Sequence, residues 1–208
     1  MYLPAHFAEH RDGVLADLVR SHPLGLLLTQ SAAGELSANP LPWLLETDPD
    51  GSKWLRGHVA RANPVWREAR MDADALVVFQ GPQAYVSPSL YASKAEHGKV
   101  VPTWNYLMVQ ARGRFEAIDD AAWTRALVTR LTERHEGARA APWAVADAPA
   151  DYVETMLRAI VGVQLRATSL VGKWKASQNR SVADRAGVAA GLRADAGVRV
   201  PGLPVVAG

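Results

Sequence analysis

Apolar and polar positions along the chain alternate between two periods, and the switches between them mark out the elements. Val14, Leu15, Leu18 and Val19 recur at helical spacing between Glu9 and Ser21, and Pro23 ends the pattern, which predicts an N-terminal helix. Leu24 to Gln30 and Glu35 to Glu46 read as two strands of a hairpin joined through Ser31-Ala32-Ala33-Gly34. Pro40 and Pro42 direct the second of these to a sheet edge or a bulge, because proline cannot donate to a ladder. Lys53 to Val59 alternates strictly, with Trp54, Arg56 and His58 on one face and Leu55, Gly57 and Val59 on the other. Asn63-Pro64 is a helix-start signal for a short helix from Val65 to Met71. Ala75 to Phe79 and Ala84 to Ser87 form a second predicted hairpin, turning at Gly81-Pro82, and Tyr106 to Phe115 alternates again. Ala121 to Glu136 and Asp151 to Ala159 read as covering helices, and Ile160 to Ala167 as a last strand. Six or more strands with helices at the start, at a corner and before the last strand suit a closed or split antiparallel barrel in an α+β, β-rich protein.

Composition narrows the chemistry. The 208 residues are 49% hydrophobic and 21% charged, enough for one packed domain over residues 1–208, with a peripheral helix and irregular tail from about residue 183. The formal charge is +2, so no global field draws the chain to nucleic acid, and any anion site is local. There is no cysteine, which removes disulfides, thiolate metal sites and cysteine nucleophiles and leaves redox chemistry to a borrowed cofactor. The start of the chain carries no signal-like pattern and no later stretch reaches membrane-spanning length; the expectation is a bacterial-type cytoplasmic protein without a membrane partner.

Motifs for nucleophilic hydrolysis, nucleotide loops and zinc proteases are missing from the sequence, and none of the six histidines has ligand spacing apart from His6 and His10, which read as a solvated pair. Three stretches carry chemistry instead. The first joins Tyr85-Val86-Ser87-Pro88-Ser89-Leu90-Tyr91, Lys94, Lys99 and Val101-Pro102-Thr103-Trp104-Asn105-Tyr106, placing hydroxyls, lysines and aromatic rings in one connection. It suits a phosphorylated planar ligand, or else simply fills a core under a long loop. The second, Arg56, His58 and Arg61, stands ahead of the helix start at Asn63 and suits a phosphate, or else a solvated face. The third, Val161 to Arg180, contains Arg166, Lys173, Lys175 and Arg180 and no carboxylate, and suits a phosphate, a second subunit or a nucleic acid, or else a solvated surface. Ser181 to Val188 has the look of a first helix of a helix-turn-helix, but Gly191 and Gly197 interrupt the residues after it, so a plain terminal helix is expected.

Taken together, Met1-Tyr2-Leu3-Pro4 with Phe7, Gly57-His58-Val59-Ala60-Arg61-Ala62-Asn63-Pro64, the Tyr85 to Tyr91 and Val101 to Tyr106 segments, and Lys173-Trp174-Lys175-Ala176-Ser177-Gln178-Asn179-Arg180 resemble the PaiB-type FMN-binding transcriptional regulators of the flavin split-barrel superfamily. The resemblance implies an FMN-binding split β-barrel of the pyridoxamine-phosphate-oxidase-like kind, with N-terminal, corner and C-terminal helices, and a homodimer holding FMN at the subunit interface. It implies phosphate contacts from Arg56, His58 and Arg61, a hydroxyl from Ser87, ring contacts from Trp104, Asn105 and Tyr106, and Lys175 and Gln178 reaching in from the partner subunit. No residue is nominated as a general acid or base. Leu90 and Ala176 depart from the family pattern, the first where a tryptophan is common and the second where a leucine is usual. The resemblance implies one of two functions: a flavin-dependent oxidoreductase or flavin-linked regulator, or a negative transcriptional regulator contacting DNA, with flavin as sensor or absent.

Overall fold

The computed structural model describes residues 1–194, so the irregular tail expected beyond them lies outside the described residues. In chain order the elements are β1 (Ala8–Glu9), α1 (Asp12–Ser21), β2 (Leu24–Gln30), β3 (Leu36–Pro42), β4 (Leu44–Thr47), β5 (Lys53–Ala60), α2 (Val65–Glu68) and β6 (Asp74–Val86). They continue with α3 (Ser93–His97), β7 (Thr103–Ile118), α4 (Ala121–Glu136), α5 (Ala150–Arg158), β8 (Ile160–Lys175) and α6 (Val182–Ala194). The eight strands form one antiparallel sheet in the order β3-β2-β6-β7-β8-β5-β4, with β1 paired to β8. The protein is α+β and β-rich, as the periodicity predicts.

The chain packs as two compact units: one of Met1–Leu18, Gln80–Val109 and the segment from Val171, the other of Val19–Phe79 and Gln110–Leu170. In the first, Val86, Tyr91 and Val188 are buried together with Leu90, Val100 and Leu192 packed on them. Gly191 is why α6 runs on where the sequence suggests a break: a Cβ there would lie 2.3 Å from Leu90 Cδ2, so the glycine is a close-packing contact rather than a helix breaker. A single helix results, without the second helix of a helix-turn-helix among the described residues. The turn expected at Gly81-Pro82 is also absent, since β6 runs unbroken through both residues. Proline's fixed φ is compatible with an extended chain. A Cβ on Gly81 would stand 2.9 Å from Leu18 Cδ1 and 3.1 Å from Leu107 Cβ, so this glycine too marks close approach.

In the second unit the β2–β3 hairpin pairs Leu24 with Pro42 through Gln30 with Leu36, and β5 pairs along its whole length with β8, Lys53 with Ala167 through Ala60 with Ile160. The strand expected from Glu35 to Glu46 breaks at Trp43, whose buried indole donates to the Gly25 carbonyl at 3.3 Å. β3, which carries both prolines, ends the sheet order, as proline chemistry predicts. α4 is capped by Asp120, whose carboxylate accepts from the Trp123 amide at 2.7 Å, and it buries Thr124, Leu127 and Leu131. The opposite faces of β2 differ sharply. Gly25, Leu27 and Thr29 are buried, whereas Leu24 and Leu26 are exposed and share a face with Ala38, Pro40 and Pro42 of β3 and with Leu76 and Val78 of β6. No helix of the described residues is long and apolar enough to cross a membrane.

Candidate functional site

Strand alternation decides what the β7 entrance presents. Trp104 is 52% exposed and Tyr106 half-buried on one face, while Asn105 and Leu107 are buried on the other. Tyr85 of β6 meets Trp104 edge to face, ring centroids 5.9 Å apart. Trp104 and Tyr106, with Gln80, Gly81, Gln83 and Met108, line an open cavity of about 270 Å³. Asn105 does not face this cavity, contrary to the expectation of a ring contact: its amide oxygen accepts a 3.2 Å hydrogen bond from the buried Ser177 hydroxyl. Ser177 has φ 65°, a left-handed conformation that costs about 1 kcal/mol or more outside glycine. The Asn105 bond and the Ser177 carbonyl, which accepts from the Arg180 amide at 3.0 Å, hold it there.

The end of β8 supplies cations to the same unit. Lys175 donates to the Thr103 hydroxyl at 2.6 Å and to the Trp104 carbonyl, so it meets the aromatic segment of its own chain, where the resemblance implies a reach from the partner. Lys173 is buried and donates to the Tyr2 carbonyl at 3.0 Å. The two ammonium groups lie 5.5 and 6.0 Å from the centre of the Tyr106 ring. Burial, together with the charges of Lys173 and Arg180, pushes the Lys175 pKa below the usual lysine value. Gln178 is spent on its own turn, accepting from the Ala176 amide at 2.7 Å and donating to the Trp174 carbonyl. Ser87 caps the short 3-10 turn at Pro88–Leu90 and bonds the Ser89 hydroxyl at 2.7 Å.

In the other unit the residues expected to contact phosphate have different partners. Arg56 donates to Glu46 at 2.9 Å, to both Asp48 oxygens at 3.0 and 3.1 Å and, weakly, to Gln164 at 3.4 Å. Glu46 in turn accepts from Arg130 of α4 at 2.9 Å, so this network ties the β4–β5 hairpin to the covering helix. Burial opposes the charge on Arg56, but Asp48 and Glu46 outweigh it and hold its pKa above the ordinary value. Arg61 forks onto Asp119 at 2.6 and 2.9 Å and donates to the Arg158 and Ile160 carbonyls. Burial holds the His58 imidazole below its ordinary pKa, and its Nδ1 is buried without a hydrogen-bond partner. In this structure Arg56 and Arg61 are thus paired with carboxylates, and His58 Nδ1 has no partner. Lys173, Tyr85 and Tyr2 were not among the expected site residues, although Lys173 lies in the cationic run, Tyr85 in the first chemistry-bearing stretch and Tyr2 in the first segment that carries the resemblance.

Residues 1–169 match the model of the family described as "Putative FMN-binding domain". The chain belongs to this family. A protein of Aspergillus fumigatus is 35% identical over 237 residues, covering 92% of this chain and 90% of the relative. The "Protease synthase and sporulation protein PAI 2" of Bacillus subtilis is 31% identical over 184 residues, covering 88% and 85%. The family thus has fungal as well as bacterial members. Among solved structures, the FAD and heme binding protein of Mycobacterium smegmatis superposes with a TM-score of 0.60 at 19% identity, over 88% of this chain and 80% of that one. The flavocytochrome Anf3 of Azotobacter vinelandii gives 0.57 at 14% identity, over 81% and 69%. At such identities the likeness shows the fold, a flavin split barrel. FMN is the cofactor of the FMN-binding family and of this chain, and the residues present fit it: an aromatic-walled cavity stands in the same unit as ammonium groups that lack a carboxylate partner among the described residues. Trp104 and Tyr106 would hold the ring, with Lys175 beside them.

Proposed function

We propose that this protein is a flavin-dependent oxidoreductase working as a homodimer, with FMN seated against Trp104 and Tyr106. When bound, FMN supplies the electron transfer, and the protein supplies position and polarity. The observation that carries the reading is the open wall of Trp104 and Tyr106 beside Lys175. The rings can cover a planar heterocycle. The ammonium group offers a donor and a positive charge to the electron-rich edge of such a ring. The half-exposed rings leave room for a second planar reactant. In this chemistry the surrounding residues are asked only to bind and orient.

The dimer rests on the second unit. Leu24, Leu26, Ala38, Pro40 and Pro42 make an apolar strip on a sheet face, ending at an edge strand. A second copy of this chain is its proposed occupant, since an exposed apolar strip ending at an edge strand suits a self-complementary two-fold interface. Anaerobic addition of NADH or NADPH is expected to bleach the visible absorbance of the bound flavin, and air to restore it; a flavin that no nicotinamide donor reduces argues against this activity. Leu26→Asp is expected to convert the dimer to monomer in light scattering. A wild-type chain that is already monomeric sinks the dimer reading.

A second reading, a negative transcriptional regulator contacting DNA, is favoured by the sporulation name of the Bacillus subtilis relative and by the cationic end of β8. It requires salt-dependent binding to a defined promoter fragment, and no shift at low salt counts against it.

A further inference from the structure

We propose that Asp184 is a positioning residue for the flavin site: from α6 it holds the connection between β6 and β7 through Ser93, and so sets how Trp104 stands against Tyr85 at the cavity wall. The inference rests on the reading that FMN sits against Trp104 and Tyr106. It concerns a helix that begins after residue 169, where the family match ends.

The connection runs from Ser87 to Pro102, and the ring pair flanks it, with Tyr85 at the end of β6 and Trp104 at the start of β7. Among the described residues, the hydrogen bonds made by residues 88–100 stay within the connection apart from those to Asp184. Its carboxylate accepts from the Ser93 amide at 3.0 Å and from the Ser93 hydroxyl at 2.9 Å. Packing completes the clamp. Leu90 lies against Gly187 and Gly191 of α6, where added Cβ atoms would come within 2.2 Å of its carbonyl oxygen and 2.3 Å of its side chain. Tyr91 is buried beside Val188, and Arg180 lies 4.8 Å over its ring.

A carboxylate is a costly group in such a place, since Asp184 is only 4% exposed. The charge of Arg180 favours its ionised form and offsets part of the cost. Apolar contact alone would seat α6 on Leu90, but that contact is non-directional and lets a segment slide. Two hydrogen bonds to one residue fix the register of the connection. Held there, the connection presents Thr103 to Lys175 and keeps the Tyr85 and Trp104 ring centroids 5.9 Å apart.

The test uses the full chain labelled with 5-fluorotryptophan, flavin-depleted and FMN-loaded, with Trp104→Phe to assign the Trp104 fluorine signal. In Asp184→Ala and in Ser93→Ala that signal is expected to move or broaden in the flavin-depleted protein. The signals of Trp43, Trp54, Trp66, Trp123 and Trp143, all in the other unit, should stay in place. FMN affinity should fall about threefold to tenfold in each variant, and no further in the double variant, because both substitutions cut the same bonds. Leu127→Ala, which empties part of the buried face of α4, should lower the melting temperature and leave both readouts as in the wild type, separating positioning from general loss of stability. Should Asp184→Ala not fold, Ser93→Ala carries the same two readouts.

A Trp104 signal that neither variant moves, one that Leu127→Ala moves equally, or affinity losses that add in the double variant would overturn the proposal. So would a moved signal with wild-type FMN affinity, and Trp104→Ala then tells which step failed. Undiminished affinity in Trp104→Ala means that FMN sits elsewhere and the functional reading is wrong; lost affinity there means that the reading stands and the clamp does not serve it.

Discussion

Arg56 and Arg61 in one unit, and Lys173 and Lys175 in the other, look alike as residue types: each pair stands near aromatic rings in a stretch whose composition suggests anion binding. Their surroundings differ in kind. The arginines are matched by the carboxylates of Glu46, Asp48 and Asp119. Among the described residues the lysines find only neutral oxygens. A basic side chain predicts an anion site to the extent that its counter-charge is missing, and that quantity belongs to the packed structure.

The comparison breaks most visibly at Arg56. Arg56→Ala should lower stability by about 2–3 kcal/mol, because it strands two partly buried carboxylates; chemical denaturation checks this.

Acid titration probes a carboxylate of the first unit that is already paired, Glu9 with Arg11. Glu9 is lowered to about 2 from 4.5, chiefly by its hydrogen bond to Arg11. A depressed carboxyl pKa stabilises the fold above the unfolded value, so its contribution, on the order of 2 kcal/mol, is complete above pH 4.5 and lost as pH falls through about 2. Glu9→Gln should flatten this part of the stability curve without changing FMN affinity at neutral pH.

Lys175→Met should cost at least tenfold in FMN affinity, about 1.4 kcal/mol, with no loss of melting temperature. In the wild type the same affinity should fade as pH rises through a value below the ordinary 10.5, because binding requires the protonated amine. The smallest effect is expected at Arg61, whose pair with Asp119 is largely solvated: Arg61→Ala should shift the melting temperature by less than Arg56→Ala and leave flavin affinity intact.

Much of the fold is legible in local pattern. Strict alternation at Lys53 to Val59 and the apolar stripes of α4 and α5 predict elements the structure contains, because strand and helix periods are properties of the backbone. The errors cluster where a neighbour decides. Gly81 and Gly191 read as a turn and a break, and both are close-packing contacts to Leu18, Leu107 and Leu90 that no local window reveals. Asn105 reads as a ligand contact and proves to be an internal anchor for Ser177, since alternation along β7 turns it away from Trp104 and Tyr106.

Residue order alone was enough for an α+β, β-rich chain without cysteine, for its FMN-binding family, and for the aromatic and cationic segments that carry its chemistry. Which cations are already neutralised was settled by folding. Charge is a property of a residue, but its neutralisation depends on partners such as Asp119 for Arg61, 58 positions away, and on the packing that gives Lys173 and Lys175 only neutral oxygens among the described residues.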